Sequence, residues 1–209
     1  GFGDLNSADD FQSTVLRTPE AEFRTKRCNQ WVSSNLTWLP SGTWDELGSE
    51  VEVTPDDEIV IGFDGSFSGD TTVLVGCTIP KDEEMPHIFL IKAWEKGPND
   101  DNNWRVDITD VENEIVNFCQ QYPKVREIAC DPYRWQRTMA FLQEERGLPI
   151  VEFPSTSPSR MVKATARFFD AVMEDKLTHS NDPLLARHLD NCVLKIDNIG
   201  PRIVKEKRN

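Results

Sequence analysis

No apolar run in the 209-residue sequence approaches the roughly 20 residues that a membrane-spanning helix needs. The first residues carry neither the basic nor the apolar region of a secretory signal. Together these absences predict a cytosolic protein with no membrane partner. Cysteines number five, an odd total without a CxxC pair, and three of them lie inside apolar runs. Neither a disulfide framework nor a zinc site is expected from them; they read as small buried hydrophobes in a reducing compartment. There is no GxxxxGK, so this chain carries no ATP-binding P-loop of its own. There is no GxSxG, and no cysteine has a histidine nearby, which leaves covalent acyl chemistry without support. Internal repeats and low-complexity segments are also missing. Basic charge is in deficit, with 23 Lys and Arg against 36 Asp and Glu and a net charge of −13. That balance argues against a protein that coats nucleic acid indiscriminately. It leaves room for an enzyme that grips nucleic acid through a local basic patch and metal ions.

The residues that are present point to a folded domain. The chain is 38% hydrophobic with six tryptophans and eleven phenylalanines, enough to build a core without staples. Charge is uneven. Lys124 to Arg167 holds eight basic residues against five acids, and Arg202 to Arg208 holds four against Glu206.

Residues 1–57 read as an N-terminal arm or linker, with residues 58–209 as the main domain. In the arm, Pro19 to Ser34 has helical spacing, and Trp38-Leu39-Pro40 precedes a short helix at Thr43–Leu47. Thr43 would cap it, with Glu46 as the partner three residues on. Beyond Glu58 the pattern becomes β-rich. Ile59–Phe63, Thr71–Cys77 and Ile88–Trp94 are separated only by turns, which predicts a three-stranded antiparallel meander. Helices are predicted over 107–121, 134–146, 157–176 and 183–189, with strands at Val125–Cys130 and Ile150–Phe153 between the earlier ones. Val193–Asp197 and Arg202–Lys205 are expected to pair as a terminal hairpin. The order βββαβαβ predicts an α/β fold: a mixed five-stranded sheet, three strands antiparallel and two parallel, with helices on both faces.

Two aspartates stand at strand ends. Asp64 closes the run Ile59-Val60-Ile61-Gly62-Phe63 and precedes Gly65-Ser66, a placement that holds a carboxylate on a rigid element beside open backbone. It equally suits a turn-forming Asp before Gly. Asp131 comes after Val125–Cys130 and precedes Pro132, where it could simply cap the next helix. As a pair they mean more. In the predicted sheet the first and fourth strands are parallel neighbours, so both carboxylates reach one end of the sheet. They would repel unless protonated or bridged by a cation, and magnesium favours carboxylate, water and phosphate oxygens. Asp70, in the turn joining the first two strands, could reach the same pocket or be solvated. His179 and His188 lack metal-ligand spacing and read as capping or surface residues, and His87 has no visible partner.

Several segments in order resemble the C-terminal nuclease domain of phage terminase large subunits. Glu22-Phe23-Arg24, Asn29-Gln30-Trp31 and Trp38-Leu39-Pro40 resemble the segment joining ATPase and nuclease domains in that family. Gly62-Phe63-Asp64-Gly65-Ser66 with Gly69-Asp70-Thr71-Thr72 resembles the first nuclease strand and turn. Cys130-Asp131-Pro132-Tyr133-Arg134-Trp135 resembles the second acidic motif. Ser157-Pro158 through Phe168, then Leu177-Thr178-His179 and Asn191, resembles the helix and loop next in the family's order. The resemblance implies a ribonuclease H-like fold and an endonuclease that cuts concatemeric double-stranded DNA by two-metal hydrolysis with Mg²⁺ or Mn²⁺, in the cytoplasm of an infected bacterium. It further implies an ATPase domain in the parent chain, a portal protein and a small terminase subunit as partners. Asp64 and Asp131 would be metal-binding acids, Asp70 an accessory catalytic acid, and Arg134, Arg160 and Lys163 phosphate contacts. The family also has an acid at the start of a helix after the terminal hairpin. This sequence ends at Lys207-Arg208-Asn209 ahead of that position, so weak activity and a missing third ligand are expected.

The alternatives are another ribonuclease H-like nuclease, such as a resolvase or integrase, and a non-catalytic assembly module docking through the acidic arm. The lack of a His/Cys zinc arm weakens the integrase reading.

Overall fold

The computed structural model describes residues 38–205 apart from 68–70, 82, 83, 98 and 102. Its strands and helices run in order: β1 Ile59–Asp64, β2 Thr72–Thr78, β3 His87–Trp94, α1 Ile108–Gln121, β4 Val125–Cys130 and α2 Gln136–Ala140, which continues into a π-helical turn at Phe141–Glu145. Then come β5 Ile150–Glu152, α3 Pro158–Met173, β6 Thr178–His179, α4 Pro183–Asp190, β7 Cys192–Asp197 and β8 Gly200–Lys205. The expected meander, parallel additions and terminal hairpin are all present. The sheet order is β5-β4-β1-β2-β3-β6, with β7 and β8 as a separate pair. β1–β2 and β2–β3 are antiparallel, whereas β1–β4, β4–β5 and β3–β6 are parallel. A sixth strand therefore extends the predicted five. β6 pairs only His87 with Thr178 and Ile88 with His179, and two residues give no periodicity to read.

Alternation along β1 decides which face each residue serves. Ile59, Ile61 and Phe63 are buried while Gly62 and Asp64 are exposed, as expected of a period-two strand with unlike faces. The buried set joins Leu74, Ile128 and Cys130 of the sheet, Val111, Ile115 and Phe118 of α1, and Trp135, Met139 and Leu142 around α2 in one core. Helix α1 forms because its apolar residues recur on one stripe and Asp107 caps it, accepting from the N–H groups of Thr109 and Asp110. Burial lifts the Cys130 thiol to about 12 and the Cys119 thiol to about 11. Both are neutral hydrophobes at physiological pH, as read from the sequence.

The opposite face carries α3 and α4. Here Trp44, Leu47, Val172 and Leu177 form a second cluster, flanked by Phe168, Leu185 and Leu189. His179 is buried within it, its ring stacked on Trp44 at 3.9 Å between centroids. It donates through Nε2 to the Trp44 carbonyl (2.7 Å) and accepts at Nδ1 from Asn181 N–H (3.2 Å). His179 is thus a core residue, neither at the surface nor capping the helix as expected, because its ring is stacked under Trp44 and Asp182 caps α4. Through Trp38, Trp44 and Leu47, residues before β1 are part of this packing. Thr43 does not cap the short helix, which is a 3-10 turn at Asp45–Leu47 with Trp44 in the cap position. The Thr43 hydroxyl instead donates to the Pro40 carbonyl (2.8 Å), so the local turn outcompetes the capping box.

Candidate active site

Asp64 and Asp131 come together through strand register. Phe63 pairs with Cys130 across the parallel β1–β4 ladder, and Asp131 N–H continues it by donating to the Phe63 carbonyl (3.4 Å). Neighbouring strands lie about 4.8 Å apart, so two acids one residue beyond a paired position share one end of the sheet. Phe63 and Cys130 point into the closed core, and by alternation Asp64 and Asp131 take the other face.

Trp135 buttresses this corner. It is 1% exposed, stacks on Phe67 (centroids 4.9 Å, planes 6° apart) and meets Phe63 edge-on (4.9 Å, 90°). A Cβ at Gly65 would lie 2.2 Å from the indole nitrogen. Glycine is thus required for the chain after Asp64 to pass over Trp135, and the indole clamps the β1 exit to the segment after Asp131.

Asp131 is held at both oxygens. Oδ1 accepts from Tyr133 N–H (3.0 Å), and Oδ2 accepts from Ser155 N–H (3.2 Å) and from the Ser155 hydroxyl. Burial works to raise its carboxyl, yet these hydrogen bonds outweigh it and leave Asp131 below the usual carboxylate range. The capping alternative is thus partly realised, in a turn rather than at the helix, since α2 starts only at Gln136. Ser155 lies 24 residues downstream in the loop after β5. A lone serine in a Pro-Ser-Thr-Ser run gives no signal of this role.

Of the basic candidates, Arg134 is exposed in the turn after Asp131, its guanidinium 5.1 Å from the Tyr133 ring. Its φ of 66° is left-handed, which is uncommon for a non-glycine residue. Arg160, in the first turn of α3, donates to the Glu152 carbonyl (3.0 Å) and covers the Phe153 ring at 5.2 Å. It therefore lies one strand beyond Asp131, because Phe153 N–H bonds the Cys130 carbonyl. Lys163 is exposed on α3 with no contact tying it to the acids. Asp70 lies outside the described residues.

A second polar cluster is invisible in the sequence because Glu95 lies 24 residues from Thr71 and more than 90 from Arg187 and His188. Glu95, just past β3, accepts from Thr71 Oγ1 (2.8 Å), Arg187 (2.6 Å) and His188 Nε2 (3.0 Å). Burial pushes its carboxyl up, but these donors win and hold it low. The cluster ties α4 to the start of β2 at the same end of the sheet as Asp64.

The donor chemistry fits a hard divalent cation. Two carboxylates share one face, Asp131 is kept ionised, and the neighbouring thiol of Cys130 is neutral and turned to the other side. Among the described residues no cluster of three or more His, Cys, Asp or Glu side chains is arranged to hold a metal. The described pair alone thus offers a partial cage.

A mixed sheet of this order, with helices on both faces and a detached hairpin, is the ribonuclease H-like arrangement. Among solved structures it resembles the large terminase of bacteriophage HK97, at TM-score 0.67 and 21% identity, covering 97% of this chain and 47% of that one. The nuclease of the large terminase from thermophilic phage G20c, solved with bound magnesium, matches at TM-score 0.55 and 13% identity over 85% of this chain and 92% of that one. The chain belongs to the terminase large subunit endonuclease domain family, which it matches over residues 92–209. In sequence it is 27% identical over 207 residues to the Gene 13 protein of Mycobacterium phage L5, covering 88% of this chain and 34% of that protein. The chain thus spans about a third of the curated relatives it matches. No helix among the described residues is long and apolar enough to cross a membrane.

Proposed function

We propose that this chain is the DNA-cutting part of a phage packaging terminase, hydrolysing phosphodiester bonds of concatemeric double-stranded DNA in the infected bacterial cytoplasm. The observation that carries the reading is the β1–β4 register, which sets Asp64 and Asp131 side by side at one sheet end. Asp64 and Asp131 would hold the divalent cation, with Asp70 as a further acid. The magnesium-bound G20c nuclease supports a divalent ion of this kind, either Mg²⁺ or Mn²⁺. When bound, one or two such ions stabilise the charge that builds on the phosphoryl oxygens during in-line displacement.

The chain's own residues do the rest. Ser155 and the Tyr133 N–H fix the Asp131 carboxylate in its ionised form, so protons compete for it only in acid. Arg134 at the lip, with Arg160 and Lys163 along α3, offers positive charge to the phosphates. The HK97 match is to a large terminase twice as long, which supports a parent chain that also carries an ATPase domain. A portal protein and a small terminase subunit are proposed as further partners. Family membership favours this reading over a resolvase, an integrase or an assembly module. The test is Mn²⁺-dependent plasmid nicking by folded Asp64→Asn and Asp131→Asn proteins. Loss of cutting is expected; parent-level cutting by either one contradicts the proposal.

A further inference from the structure

Among the described residues, aromatic side chains are buried or half-buried, with one exception. Tyr133 is 61% exposed, the only exposed aromatic among the described residues, and it lies two residues from Asp131. Its position is set tightly although its ring is bare: Tyr133 N–H bonds Asp131 Oδ1, and the Trp135 indole two residues on is locked in the core. Between them Arg134 adopts a left-handed backbone, a conformation that persists in a non-glycine residue only when its surroundings enforce it. The enforced turn leaves Tyr133 and Arg134 both exposed at the lip, guanidinium beside ring. Packing gives no reason for a bare ring here.

We infer that Tyr133 is a substrate-positioning residue, its ring lying against a deoxyribose next to the scissile phosphate while Arg134 contacts an adjoining phosphate. This rests on the proposed nuclease function. A duplex presents sugars and phosphates, not base faces, to a rigid protein lip. An aromatic–sugar contact needs no opened base pair and carries no sequence preference. The ring's apolar face makes the contact, so the hydroxyl is dispensable.

The test uses the whole chain and a fluorescently labelled duplex of about 30 base pairs, long enough to span a specific protein–DNA interface, with binding read by anisotropy in Ca²⁺ and cutting read in Mn²⁺. Tyr133→Ala, which removes the apolar area buried between ring and sugar, is expected to weaken duplex binding and raise KM about tenfold, with kcat far less affected. Mn²⁺ affinity, read by calorimetry, and Tm stay at parent values. Tyr133→Phe restores most of the affinity. Parent-like binding and KM in Tyr133→Ala overturn the inference. So does a Phe variant as weak as the Ala variant, or a loss of Mn²⁺ affinity that accounts for the defect. Asp131→Asn is run alongside: if it still cuts, the nuclease reading itself has failed, whatever Tyr133 does.

Discussion

The two faces of the sheet are built for different work. Against α1 and α2 the face is closed, with Ile59, Val111, Ile115, Ile128, Cys130 and Leu142 all at 0% exposure. Against α3 and α4 it is only partly filled, leaving a largely apolar groove of about 490 Å³ bounded by Val60, Val75, Ala129, Phe153 and Phe168, with Glu127 as its one acid. Asp64 and Asp131 belong to this looser face. Because alternate residues of a single strand serve both faces, β1 carries buried core residues at 59, 61 and 63 and the proposed metal-binding one, exposed, at 64. Damage to one face should therefore cost stability, and damage to the other should cost function.

The sharpest break of that symmetry is Asp64→Asn, expected to abolish Mn²⁺-dependent nicking with little change in Tm; a protein that unfolds instead would put Asp64 in the structural set. On the closed face, Trp135→Ala should cost about 3–5 kcal/mol, read as a lower urea midpoint. Its corner makes Gly65→Ala costly too, at about 1–3 kcal/mol, and equal stability in the alanine protein would deny the Trp135 clamp.

Ser155→Ala probes the boundary between the two roles. It should weaken Mn²⁺ binding about tenfold while leaving the core intact. Asp131 is held below its unfolded value, so its ionised state contributes stability that is present above the unfolded carboxylate range and lost as pH falls through the lowered one. Removing the serine hydroxyl raises the folded value, so Mn²⁺ binding should fail at a higher pH than in the parent. Identical pH profiles would deny Ser155 its role. The smallest effect belongs to Arg134→Ala, expected to lower the slope of log affinity against log salt by about one; an unchanged slope removes it from the phosphate contacts.

How far the sequence was legible tracks the same division. Strands with four or more patterned residues were readable, and so was the parallel β1–β4 pairing, because three helix-free strands and then helix-linked ones leave few topologies. From that pairing the juxtaposition of Asp64 and Asp131 could be derived. β6 was not legible because two residues have no pattern, and the π-turn after α2 keeps the apolar spacing of a helix. Ser155, Trp135 as a clamp, and the Glu95–His188 contact depend on partners 24, 70 and 93 positions away, and no local signal encodes such distances. Thr43 misled because a capping box and a turn use the same residues.

Anomalous scattering from a crystal soaked in Mn²⁺ puts the most direct question to this site. A peak between Asp64 and Asp131 is expected, with carboxylate oxygens of each about 2.1 Å away. Density at only one aspartate, or none at that end of the sheet, would contradict it.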